Sequence, residues 1–205
     1  SLPKAGQDYG PVAQAARLSA FLKTEAPQTA LLVGHSMGGM ISGLLTAEHP
    51  EQVQRIVFMS SAGVAFNEND FARQVLKGYN PFAEYEADAL LSFMKTYVFA
   101  DPPYIPKALI NVIVAQRAAK KEFERTVFTQ IRTGPEAFLL QQRLPDITQP
   151  VGLLWCDQDR IIDPSAAAVF AKGLQRSETR ILSGCGHMPM MEQPAQVAAF
   201  LLSRF

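Results

Sequence analysis

The tightest constraint on this chain lies in Thr29 to Ala47, TALLVGHSMGGMISGLLTA. Ala30 to Val33 is a short apolar run that reads as a buried strand. Met37, Ile41, Leu44, Leu45 and Glu48 then fall at helical spacing. Between them stands Gly34-His35-Ser36-Met37-Gly38, a match to G-x-S-x-G, which describes a sharp strand-to-helix turn lifting a serine Oγ clear of a sheet. Such a turn strains the backbone, and side chains two positions to either side would collide, so Gly34 and Gly38 are expected to make room. The following helix aims its N-terminal N–H groups and positive dipole end at the serine, with the backbone N–H of Met37 as the expected oxyanion donor. Gly38, Gly39, Ser42 and Gly43 leave one helix face nearly bare, fit to lie close on a sheet. A membrane-spanning reading of Ala30 to Ala47 meets the length requirement, but four glycines with His35, Ser36 and Ser42 make a poor span.

A base must take the hydroxyl proton before serine becomes a good nucleophile, and an acid must hold that base in one tautomer. The chain has three histidines. His35 flanks the serine on its turn, and His49, before Pro50, reads as a polar residue closing the helix. His187 follows the last strand-like run, Thr179 to Leu182, in the glycine-bearing loop SGCGH, and is the expected base. The acid has three candidates after the strand Pro150 to Cys156. Asp159 sits in the loop and leads, Asp157 follows the strand almost directly, and Asp163 before Pro164 reads as a helix N-cap. The order Ser36, Asp159, His187 is that of one class of serine enzymes.

The rest of the chain alternates strand and helix, with one interruption. Helices are expected from Pro11 to a stop at Pro27, over Ser165 to Leu174, and over Pro194 to Phe205; Val53 to Met59 is a strand. That order argues a parallel, doubly wound α/β sheet with ligands at the carboxyl ends of its strands. Val64 to Leu144 breaks the alternation with helical segments at Asp70 to Leu76, Glu84 to Phe99, Lys107 to Lys121 and Glu122 to Ile131. Twelve of the 13 Phe, 5 Tyr and 1 Trp fall between Phe66 and Phe138, which points to a separate lobe with an apolar inner face rather than a plain structural insertion. Three units follow: 1–63 with the serine turn, 64–145 as a helical cap, and 146–205 with the acid and base loops.

Charge excludes some partners. Lys+Arg 19 balances Asp+Glu 19, so no global field draws the chain to nucleic acid. The histidines lack metal-ligand spacing, and no metal or other cofactor is expected. Cys156 and Cys185 are too few for a disulfide framework and read as free, buried thiols. Nothing at the start reads as a signal peptide or lipidation motif, and the compartment is not readable.

GHSMGG, WCDQDRIIDP and CGHMPMMEQP together resemble the α/β-hydrolase superfamily over nearly the whole chain, and the region around PPYIPK resembles its branch of monoacylglycerol lipases and related bacterial lipases and phospholipases. The resemblance implies Asp159, before Arg160 in W-x-x-x-D-[RQ], as acid and His187 of C-G-H as base. It implies a serine carboxylic-ester hydrolase working through an acyl-enzyme on acylglycerol or phospholipid-type esters. A small-molecule ester with an apolar acyl chain would be the substrate. His35 and cap aromatics such as Phe93, Phe99, Tyr104 and Phe128 are expected to bind it. The same fold and triad also serve C–C, amide or thioester cleavage, and a non-catalytic binding protein is the reading from another class. The chain departs from the family at its front. The family's earlier strands and its H-G type loop, source of a second oxyanion N–H, are absent from this sequence. It is expected to be the C-terminal part of a longer enzyme, any membrane association belonging to a segment outside it.

Overall fold

A computed structural model of the chain describes residues 6–25, 30–133 and 135–203. Pro27, Thr29 and Phe205, each placed at an element boundary by the sequence, lie outside the described residues. In chain order the elements are α1 (Pro11–Glu25), β1 (Ala30–His35), α2 (Met37–Glu48), β2 (Val53–Met59), α3 (Asp70–Leu76), α4 (Ala87–Phe93), α5 (Lys107–Ala118), α6 (Lys121–Thr133), α7 (Leu139–Arg143), β3 (Val151–Cys156), α8 (Ser165–Gly173), β4 (Ser177–Leu182), α9 (Pro189–Glu192) and α10 (Pro194–Leu202).

The four strands form one parallel sheet in the order β1-β2-β3-β4. Parallel neighbours need a crossover, and α2 and α8 supply two of the three. Side chains alternate across the sheet, so each face has its own core. On one face Ile56, Phe58, Leu153 and Trp155 pack with Leu44, Leu45, Leu140 and Phe170. On the other, Val57, Met59, Leu154 and Leu182 pack with Val197 and Phe200 of α10. Burial on both faces explains why β3 reads VGLLWC without a polar residue. β4 is the opposite case: of SETRIL only Leu182 is buried, and its polar start hid Ser177 and Glu178 from a reading that began at Thr179. On β1, Ala30 and Leu32 pack against the first core, while Leu31 and Val33 face out at 46% and 44% exposure.

The bare face of α2 lies where its small residues allow. A Cβ on Gly43 would come within 2.9 Å of the Phe58 ring and 2.7 Å of Leu140. Any larger residue there would push the helix off the sheet and displace the turn that starts it.

The third crossover, from β2 to β3, is the long helical run from α3 to α7. The single helix expected over Glu84 to Phe99 is shorter: α4 ends at Phe93 and continues as a π-helical turn, Met94–Val98. The short helices α7 and α9 carry too few residues to show a period, so residue spacing holds no sign of them.

The cysteine expectation is overturned. Cys156 and Cys185 form a disulfide with a Cα–Cα distance of 5.2 Å, and both are fully buried. The reason is topological. Cys156 ends β3 opposite Leu182 of β4, and Cys185 lies three residues past that partner, so the parallel register brings the two together. A count of two cysteines 29 residues apart carries no trace of this. Replacing both by alanine is expected to cost about 3 kcal/mol, chiefly by freeing the unfolded chain. For a chain of this size that is a drop of roughly 10 °C in melting temperature. Thermal unfolding followed by circular dichroism checks it: wild type should fall toward the variant when reductant is added, and coincident melts without reductant would show that the bond does not stabilise.

Candidate active site

Ser36 sits between the last residue of β1 and the first of α2, with φ 52° and ψ −124°. This backbone is costly for any residue with a Cβ and survives only where its surroundings impose it. They do so here. The Ser36 N–H donates to the Met59 carbonyl at 3.0 Å, and its own carbonyl accepts from the N–H groups of Ala62 and Gly39, each at 3.0 Å. The glycine expectation needs one correction. A Cβ on Gly34 would lie 2.5 Å from the Gly39 Cα, and one on Gly39 would run into the Ser61 side chain, whereas a Cβ on Gly38 would meet nothing within 4 Å. The crowded pair is therefore Gly34 and Gly39. The strand end presses on α2 one residue further along than the motif spacing implies.

His187 follows β4 and is buried, with 5% of its surface exposed. Its Nε2 stands 3.0 Å from the Ser36 Oγ, and its Nδ1 stands 3.1 and 3.0 Å from the two carboxyl oxygens of Asp159. An Nδ1 that donates to a carboxylate leaves the Nε2 lone pair free to accept the serine O–H. Asp159 is itself held: its Oδ1 accepts the N–H groups of Ile161 and Ile162, both at 3.0 Å. The other two aspartates have different partners. Asp157 accepts the Gly184 N–H at 2.9 Å, and Asp163 accepts the Ser165 N–H at 3.0 Å in the first turn of α8. Met37, next to the serine, is the first residue of α2, so its N–H belongs to the helix end turned toward Ser36.

The disulfide belongs to this geometry too. Cys156 lies three residues before Asp159, and Cys185 two before His187, so the bond ties the roots of the two loops together.

His35 does not turn toward open space. Its ring lies 4.7 Å from that of His187, and its Nε2 is 2.7 Å from the His187 backbone carbonyl. Because a carbonyl only accepts, that nitrogen carries the proton. Burial, with the neighbouring His187 adding to it, lowers the His35 pKa and favours the neutral ring. His35 thus braces the base loop, its ring nitrogen tied to the His187 backbone.

The four aromatics expected to share a substrate surface are not brought together. Tyr104 is 90% exposed, Phe99 is buried, and Phe93 clusters with Phe71 and Tyr97. Phe128 lines a 240 Å³ cavity with Tyr85, Lys121 and Arg125, while Phe93 lines a separate one of 360 Å³ with Tyr79 and Glu84. Within the insertion, the Phe71 ring of α3 packs on Phe93 of α4 and on Tyr97 of the π-helical turn. A further cavity of 440 Å³ runs between Asn69, Phe71 and Tyr97 on one side and Asp159 and Arg160 on the other. Among the described residues, no group of three His, Cys, Asp or Glu is placed to hold a metal ion, and no helix is long and apolar enough to cross a membrane.

A model of an alpha/beta hydrolase family matches residues 2–200. Monoacylglycerol lipase abhd6-A of Xenopus laevis is 27% identical over 95% of this chain and 60% of its own length. Lipase 1 of Psychrobacter immobilis is 30% identical over 90% of this chain and 58% of its own. The crystal structure of a membrane phospholipase A, described as a bacterial virulence factor, superposes with a TM-score of 0.88 at 30% identity, covering 97% of this chain and 64% of that one. The chain thus spans less than two thirds of each of these three proteins.

Proposed function

This chain belongs to the alpha/beta hydrolase family, and from that premise we propose that it carries the reacting groups of a serine ester hydrolase acting on acylglycerol or phospholipid-type esters. Ser36 Oγ attacks the ester carbonyl while His187 Nε2 takes its proton. Asp159 keeps the imidazole in the tautomer that can accept, and stabilises the imidazolium once it forms. The Met37 N–H donates to the oxyanion. The imidazolium then protonates the leaving alcohol, and an acyl-enzyme remains. Water, deprotonated by the same imidazole, releases the carboxylic acid and returns Ser36 to its starting state. The single observation that carries this reading is the continuous line of contacts from the Ser36 hydroxyl through the His187 ring to the Asp159 carboxylate, each close to 3 Å. The acylglycerol or phospholipid class is supported by the names and similarity of the two lipases and the phospholipase. Residues 64–145 act in this proposal as a cap over the site.

Two measurements on the protein, expressed with any sequence that precedes Ser1, test the proposal. A fluorophosphonate probe should label Ser36, and substitution of that residue should remove the label; failure to label would leave only a binding role. A series of nitrophenyl esters from acetyl to palmitoyl should show kcat/KM rising with chain length. Activity that is flat or falls beyond the shortest acyl groups would reject the lipid substrate while keeping the hydrolase.

A further inference from the structure

The loop that presents His187 is not self-supporting. Its Gly186 packs backbone to backbone against a strap inside the helical insertion, between the π-helical turn and α5: a Cβ on Gly186 would fall 2.7 Å from the Val98 carbonyl oxygen and 2.9 Å from the Ala100 nitrogen. The His187 N–H donates to that Val98 carbonyl at 2.7 Å. Across the same contact lies the carboxylate of Glu192, the last residue of α9. Its Oε1 accepts the Gly186 N–H at 2.8 Å; its Oε2 accepts the Ala100 N–H at 2.8 Å and the Asp101 N–H at 3.4 Å. One carboxylate therefore joins two segments that lie more than eighty residues apart in the chain. On the acid side, Arg160 donates to the Thr96 carbonyl at 3.1 Å. The carbonyls at the end of the π-helical turn, which no helical N–H can satisfy, thus rest on the acid loop through Arg160 and on the base loop through His187.

We propose that Glu192 is a positioning residue for the reaction, clamping the strap Val98–Asp101 onto the base loop so that the helical insertion sets where the His187 imidazole stands. The proposal rests on the reading of Ser36, His187 and Asp159 as the reacting set. Two consecutive N–H groups at the imidazole are tied: that of Gly186 to Glu192, and that of His187 to the strap which Glu192 holds. N–H bonds to a carboxylate are shorter and stronger than those to a neutral acceptor, which suits a joint between distant segments. Glutamine at 192 keeps one acceptor oxygen and turns an NH₂ toward N–H donors, so one side of the clamp opens.

Removing the clamp lets the imidazole drift while leaving its chemistry intact, and misplacement on the 1 Å scale costs on the order of a hundredfold in rate. Glu192→Ala is expected to slow fluorophosphonate labelling of Ser36 by that factor, and Glu192→Gln by about tenfold. KM for a short nitrophenyl ester should stay unchanged, and the low-field proton resonance of the His187 Nδ1–H should broaden or shift. Gly186→Ala, which wedges the strap off the loop from the other side, should reproduce the slow labelling, and its effect should not multiply with that of Glu192→Gln. If Glu192→Ala fails to fold, the glutamine and Gly186 variants carry the test. Wild-type labelling at Ser36 with an unchanged rate and resonance in Glu192→Gln overturns this proposal alone. A wild type that does not label at Ser36 removes it together with the hydrolase reading.

Discussion

Ser36→Ala is expected to lower kcat for ester hydrolysis by roughly 10^4- to 10^6-fold, and His187→Ala by a comparable factor, because the two act as one unit. The double variant should be scarcely worse than either single one. Without the hydroxyl the imidazole has no proton to take; without the imidazole the hydroxyl, 3.0 Å from an empty place, is an ordinary alcohol. What remains is the Met37 N–H and whatever binding the site provides. Steady-state kinetics on a soluble nitrophenyl ester read the effect directly, and independent, multiplying losses would show that the pair does not act together. Stability adds a second, opposite readout. At φ 52° a Cβ is strained, so Ser36→Gly should be more stable than Ser36→Ala by about 1 kcal/mol while equally inactive. Matching melting temperatures for the two variants would mean that the turn stores no strain.

The site was far more legible in the sequence than its supports were. A turn that must expose a serine needs a strand before it, small residues around it and a helix after it, and all three are written within Ala30 to Glu48. The position of His187 was legible because a chain with three histidines offers few bases, and the other two sit on the serine turn itself and at the far end of the helix after it. The supports depend on proximity that spacing cannot encode. The partner of Cys156 follows from which strand lies beside β3. Glu192 reads as one more charge in the stretch after His187 until the strap 92 residues earlier is seen against it. Gly39 rather than Gly38 bears the crowding, because packing of α2 on Ser61 and Gly34 decides it, not the motif. The aromatic count is silent for a related reason: composition says how much apolar surface a segment carries, but not whether a ring such as Phe93 faces a substrate or, as toward Phe71, a neighbouring helix.

Asp159→Asn should cost about 10^4-fold in kcat, and the hydrogen bonds around the carboxylate say why. Oδ1 is fixed by two backbone donors, the N–H groups of Ile161 and Ile162, and an asparagine placed here must keep its carbonyl oxygen on that side. Its NH₂ then occupies the Oδ2 position, 3.0 Å from the His187 Nδ1. Oδ1, 3.1 Å from Nδ1, is already taken by those two N–H groups. A donor at the Oδ2 position therefore favours the tautomer in which Nδ1 accepts and the imidazole proton sits on Nε2, pointing at Ser36. The base is then present and correctly placed, but its lone pair faces the wrong way. Asp157→Asn and Asp163→Asn meet no such obstacle. Each carboxylate accepts one backbone N–H, from Gly184 and Ser165, and an amide oxygen can take over that bond. Both variants should keep kcat near wild type and lose at most about 1 kcal/mol of stability. Kinetics of the three variants at one pH discriminate among the aspartates. A ten-thousandfold loss at Asp157 or Asp163, with Asp159→Asn still active, would move the acid to another loop position and break the line from Ser36 through His187 on which the hydrolase reading stands.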